Sequence, residues 1–134
     1  MKIKCIKNSL ESQEQDRYGD RFYPQDFHVT PGKEYTVLGI TFVRDKKVWG
    51  TGVYYELDFE RRRIIRVPID CFEVIDHRIS LYWVAKEIED GFFAIWPDLF
   101  FKEFFHDDLY ESVETAVGEF EQIVNLMVNE HELL

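Results

Sequence analysis

Apolar and polar residues follow two regimes along this chain. Between Glu34 and Trp96 they form short stretches rich in β-branched and aromatic side chains; beyond Asp108 they recur every three or four positions. The first regime predicts strands and the second a helix. Residues 35–43 are apolar on both faces, which predicts a strand covered on both sides. Residues 44–47 read as a turn. Trp49, Thr51, Val53, Tyr55 and Leu57 then alternate with Gly50, Gly52, Tyr54 and Glu56, a period of two. Residues 58–61 form a second turn. Residues 62–67 form a third strand, ended by Pro68, which has no N–H to give to a ladder. Ile69, Asp70 and Cys71 link to another strand over residues 72–76. Two more strands are predicted over 81–88 and 92–96. The Asp90-Gly91 step between them signals a hairpin, and a weaker strand signal covers residues 1–6.

Near the end, Leu109, Val113, Ala116, Val117, Phe120, Ile123, Val124 and Met127 fall on one stripe at about 100° per residue. This predicts one helix over residues 108–128. Asp108 is its expected cap, with Glu111 as capping-box partner. Glu111, Glu114, Thr115, Gln122 and Asn125 lie on the opposite, solvent side. Residues 7–32 are polar and broken by Asn8, Ser9, Gly19, Pro24, Pro31 and Gly32, so a long loop is expected, with Tyr18, Phe22, Tyr23 and Phe27 pinning it to the core. The pattern is that of one α+β domain over residues 1–134, strand-rich from 34 to 97. A meander followed by a short connection into another strand predicts a small, mostly antiparallel SH3-like barrel or curved sheet with one C-terminal amphipathic helix.

Hydrophobic residues make up 46% of the chain and aromatics 16%, enough for a core and against disorder of the whole chain. Charge is unevenly placed. The net charge is −10, yet residues 1–86 hold 13 acids and 15 bases, while residues 87–134 hold 13 acids and a single base, Lys102. Such a field repels nucleic acid and anionic membrane and steers basic proteins inward. No window approaches the roughly 20 apolar residues of a membrane span. Lys2, Lys4 and Lys7 interrupt the apolar stretch at the start, so no secretory leader is expected, and a cytoplasmic address is.

Candidate chemistry is sparse. The chain has no nucleophile elbow, phosphate-cradling glycine loop or His-Glu-x-x-His, so neither an enzyme nor a cofactor is expected. His106-Asp107-Asp108 is the best metal candidate, but three adjacent residues rarely point at one ion, and helix capping explains the carboxylates as well. Asp76-His77 reads as a polar turn rather than an acid–base pair. Cys5 and Cys71 sit in apolar runs, as small buried hydrophobes do. Arg61, Arg62, Arg63 and Arg66 form the one basic cluster, placed to decorate a turn and an edge strand and to pair with acids of the same chain. Glu89, Asp90, Asp98, Asp107, Asp108 and Glu111 are interleaved with Phe92, Phe93, Phe100, Phe101, Phe104 and Phe105, more phenylalanines than a small core needs. Aromatics within an acidic rim predict an interface for a basic protein, with these six acids supplying the charge. A second reading uses Trp49, Tyr54, Tyr55 and Trp83 as the peptide-binding surface of an SH3-like adaptor or regulatory module, with little dependence on salt.

The run 29–40 (VTPGKEYTVLGI), then Gly52-Val53-Tyr54-Tyr55, then Val67-Pro68 with Cys71-Phe72-Glu73-Val74-Ile75-Asp76, then Tyr82-Trp83, resembles a group of small bacterial proteins similar to immunity proteins encoded beside toxin genes in contact-dependent inhibition and related systems. The resemblance covers residues 29–83, and its motifs are structural, so it transfers no functional residue. It implies a non-enzymatic protein that binds and neutralises a cognate basic toxin domain, such as a nuclease.

Overall fold

The computed structural model describes residues 1–15, 26–45 and 50–132. Its strands are β1 (Lys2–Cys5), β2 (Glu34–Thr36), β3 (Gly39–Asp45), β4 (Gly50–Phe59), β5 (Arg63–Pro68), β6 (Phe72–Asp76), β7 (Trp83–Glu89) and β8 (Phe92–Pro97). Its helices are the single turn α1 (Ser12–Gln15), α2 (Phe105–Tyr110) and α3 (Glu114–Asn129). The strands build two antiparallel sheets, ordered β2-β1-β6 and β5-β4-β3-β8-β7. The chain is thus α+β, but the sheets do not close into a barrel. Strand β1 has both edges occupied, by β2 and β6, so it offers none to the five-stranded sheet. The corner after Pro68 is a 3-10 turn, Ile69–Cys71, instead of a continuous ladder.

The strand expected over residues 35–43 is two strands in different sheets. Val37 and Leu38 join them, both fully buried. Val37 belongs to the core between the sheets, with Ile3, Leu57, Val67 and Cys71. Leu38 belongs to a second core between the large sheet and the helices, with Trp96, Phe100, Phe105 and Phe120. The segment reads as apolar on both faces because it feeds two cores in turn. Gly39 is the next residue, and a side chain there would meet the Trp96 ring at 2.6 Å. Glycine is what lets the indole lie across β3.

The single helix expected over 108–128 is broken. After α2, Ser112 takes a left-handed conformation (φ 60°). Its N–H donates to the Leu109 carbonyl and that of Val113 to the Asp108 carbonyl, the two bonds of a Schellman stop. Asp108 is therefore inside α2, and Val113 precedes α3 with no side-chain cap. Leu109, Ala116, Phe120, Val124 and Met127 are buried as the stripe predicted, while Val113, at the break, is exposed. Within residues 7–32 the expected loop contains α1, and Phe27 is buried as a pin. Tyr18, Phe22 and Tyr23 lie outside the described residues. Among the described residues no helix is long and apolar enough to cross a membrane.

Candidate functional site: a divided acidic surface and a buried carboxylate

Strands β7 and β8 form a hairpin with a two-residue loop, Asp90-Gly91, closed by the Glu89–Phe92 pair. Gly91 takes φ 86°, and a Cβ there would lie 2.6 Å from the Arg44 carbonyl oxygen. The Arg44 N–H donates to the Gly91 carbonyl, tying the loop to the end of β3. Glu87, Glu89 and Asp90 are exposed at this end, and none has an ion-pair partner among the described residues. Beside them Phe42 and Phe93 form an exposed cross-strand pair, edge to face, with ring centroids 6.1 Å apart.

The remaining acids lie elsewhere. Asp98 follows Pro97 at the far end of β8, about 20 Å from Asp90 at some 3.3 Å per strand residue, and it faces Lys86 at 3.4 Å. Asp107, Asp108 and Glu111 belong to α2 and its C-cap. That helix sits beside β5: Arg63 lies 5.5 Å from the Tyr110 ring centroid, and an open pocket of about 420 Å³ is lined by Arg63, Ile64, Ile65, His106, Asp107, Leu109 and Tyr110. Strands β5 and β7 are opposite edges of the five-stranded sheet, four spacings or about 19 Å apart. The fold keeps Glu89 and Asp90 together, and Asp107, Asp108 and Glu111 together. It places the two groups at different edges, with Asp98 apart from Glu89 and Asp90.

Sequence reasoning missed the most buried charge among the described residues. Glu56 on β4 is 2% exposed. One oxygen of its carboxylate accepts from Arg66 Nε at 2.6 Å and from the Thr41 hydroxyl at 2.5 Å. Thr41 in turn accepts from Trp96 Nε1 at 2.9 Å. The chain Trp96–Thr41–Glu56–Arg66 crosses four adjacent strands on the helix-covered face. A signal was present: Glu56 and Arg66 are equidistant from the β4–β5 turn, so hairpin pairing places them directly opposite, as observed.

His106 packs over this network, its ring centroid 5.3 Å from that of Trp96. Nε2 lies 3.0 Å from the Phe100 carbonyl oxygen; a carbonyl only accepts, so Nε2 carries the proton in that bond. Burial lowers the His106 pKa below its ordinary 6.5, and Arg66 pushes the same way; Glu56, the Phe100 carbonyl and Asp107 partly offset this. The folded state thus favours the neutral ring. Stability from this residue is fully present above pH 6.5 and is lost as pH falls from there toward the lowered folded value, because the unfolded chain takes up the proton first. Replacing His106 with Phe should flatten that decline. Urea titrations of both proteins at pH 7, 6 and 5 check it, and equal slopes would show that other groups carry the acid sensitivity.

The other candidates resolve into structural roles. The His106 ring points inward, and among the described residues no three His, Cys, Asp or Glu side chains are grouped to hold a metal. Asp76 is held well below the usual carboxylate range by hydrogen bonds from Arg78, not by His77. Cys5 and Cys71 are buried, and burial pushes the Cys71 thiol up to about 12, which leaves it unreactive. Three of the four clustered arginines are engaged within the chain: Arg61 with Asp58 and Asn125, Arg63 with Tyr110, Arg66 with Glu56. Tyr54 and Tyr55 are buried, and the half-buried Trp83 donates its indole N–H to the Leu38 carbonyl. Trp49 lies outside the described residues. No protein-family model, no curated protein and no solved structure matches this chain.

Proposed function

We propose that this chain is a binding protein for a basic protein, and that its partner is a toxin domain it neutralises in the manner of an immunity protein. The observation that carries the reading is the exposed acidic corner at Glu87, Glu89 and Asp90. Among the described residues these carboxylates have no cation partner, and they border exposed phenylalanines. Acids fully engaged in stabilising the fold would be paired; these remain available for an incoming Lys or Arg. Aromatics beside a charged rim are the composition of an interface centre. If the toxin is a nuclease, the carboxylates stand where its groove expects phosphates, and inhibition is steric and electrostatic. The adaptor reading has less exposed aromatic surface behind it: Tyr54 and Tyr55 are buried and Trp83 is half-buried, and Trp49 lies outside the described residues.

The test is capture from the source lysate at low and at high salt by the tagged protein and by a Glu87→Lys/Glu89→Lys/Asp90→Lys variant, followed by binding kinetics with the purified partner. The variant should associate roughly ten to a hundred times more slowly at low salt and show a flatter salt dependence, because steering acts on the association rate. The captured protein should be toxic when expressed alone and harmless when co-expressed with this chain. Unchanged association in the variant, or a partner that is not toxic, refutes the corresponding half of the reading.

A further inference from the structure

Strand β7 is an open edge. Among the described residues it pairs with β8 on one side and with no strand on the other. Six of its seven residues are exposed, and only Trp83 is half-buried. The opposite edge, β5, has α2 beside it. Proteins usually guard such an edge with proline, an outward lysine or a bulge. Strand β7 has a bulge, at Ile88, but no proline before it. Its one lysine is turned away from the edge: Lys86 Nζ lies 4.8 Å from the Phe101 ring centroid and 3.4 Å from Asp98. The stretch from Val84 to Glu87 is therefore unguarded. Register places Ala85 opposite Ile95 and Glu87 opposite Phe93, on the face that carries the exposed Phe42–Phe93 pair.

We infer that an extended segment of the basic partner adds to β7 as a sixth strand, with Lys or Arg opposite Glu87 and an apolar residue opposite Ala85. Main-chain hydrogen bonds would give the affinity, and alternating side chains the specificity. Charge selects the occupant. Glu87, Glu89 and Asp90 meet no cation among the described residues, and a second copy would bring the same acids, on a net charge of −10, to the same edge. The inference rests on the proposed basic partner and adds the edge and the mode of contact.

The experiment is an amide-resolved NMR titration with the capped peptide Lys-Thr-Val-Thr-Lys-Thr, which sets Val and Lys two residues apart as Ala85 and Glu87 are, and with its backbone-N-methylated counterpart, which has the same charge but no backbone N–H groups. The peptide should shift the Val84–Glu87 amides, and slow the exchange of the outward-pointing ones about tenfold or more at saturation. The N-methylated form should bind about tenfold more weakly or worse, having lost its donors. Glu87→Lys should weaken the first peptide. Equal binding of both peptides, or shifts confined to α2, overturns strand addition while leaving a basic partner intact. No binding of either peptide at low salt overturns both. Protection of β7 that grows with protein concentration in the absence of peptide overturns the inference in favour of a second copy.

Discussion

Replacing Phe100 with alanine should destabilise the protein by about 3–5 kcal/mol, the range for removing a fully buried aromatic side chain. Phe100 is 1% exposed and joins four aromatic neighbours. It stacks on Phe105 at 5.6 Å between centroids, meets Trp96 edge-on at 6.5 Å, and lies 6.2 Å from Phe120 on α3 and 5.9 Å from His106. The ring is thus where the 3-10 turn Asp98–Phe101, the large sheet and both later helices meet. No neighbour can fill the space without giving up its own contacts. Urea unfolding should show a lower midpoint with an unchanged slope. Phe104→Ala is the control. That side chain is exposed, and its loss should change stability by no more than about 0.5 kcal/mol. Equal losses in the two variants would contradict the division of the phenylalanine-rich run into core and surface members.

That run shows what a sequence carries and what it withholds. Six phenylalanines among acids pointed to a surplus over the core's needs, and Phe93 and Phe104 are indeed exposed while Phe100 and Phe105 are buried. Which ones were surplus was not legible, because the 3-10 turn and the left-handed Phe104 between them follow neither a strand nor a helix period. Strands β4, β5, β6 and β8 were legible because period two and the stops at Pro68 and Asp90-Gly91 are local signals. The helix break was hidden because Ser112 does what glycine usually does, and the apolar stripe resumes almost in phase beyond it. The two-sheet arrangement was hidden because β1 pairs with β2 and β6, partners some thirty and seventy residues away, and no spacing rule encodes that choice. Charge behaved in the same way. The acids were countable along the chain, but the strand order that sends β7 and β5 to opposite edges decides which of them can act together.

The second large effect is expected at the buried carboxylate. Arg66→Ala should cost about 3 kcal/mol or more, because it leaves the Glu56 charge deep in the fold with only the Thr41 hydroxyl to answer it. The loss should come from the orphaned charge more than from the missing attraction. Two further variants separate these. Glu56→Gln in the Arg66→Ala background removes the charge and keeps the shape, so it should recover part of the stability. Glu56→Gln alone should cost less than Arg66→Ala, since the Arg66 side chain is more than a third exposed and finds water. Thr41→Val takes away the Trp96 acceptor and one Glu56 donor together, and should cost about 1–3 kcal/mol, the penalty for buried polar groups left unmet. If Arg66→Ala and its double variant with Glu56→Gln are equally unstable, the carboxylate is not carrying an uncompensated charge, and the Arg66 stem must act through packing instead. The same series bears on function. The Glu56 carboxylate is buried, whereas Glu87, Glu89 and Asp90 lie three strands away from β4, beyond β3 and β8. Stability variants at Glu56 should therefore leave partner association unchanged while the protein stays folded, and charge reversals at the hairpin turn should slow association without lowering the unfolding midpoint.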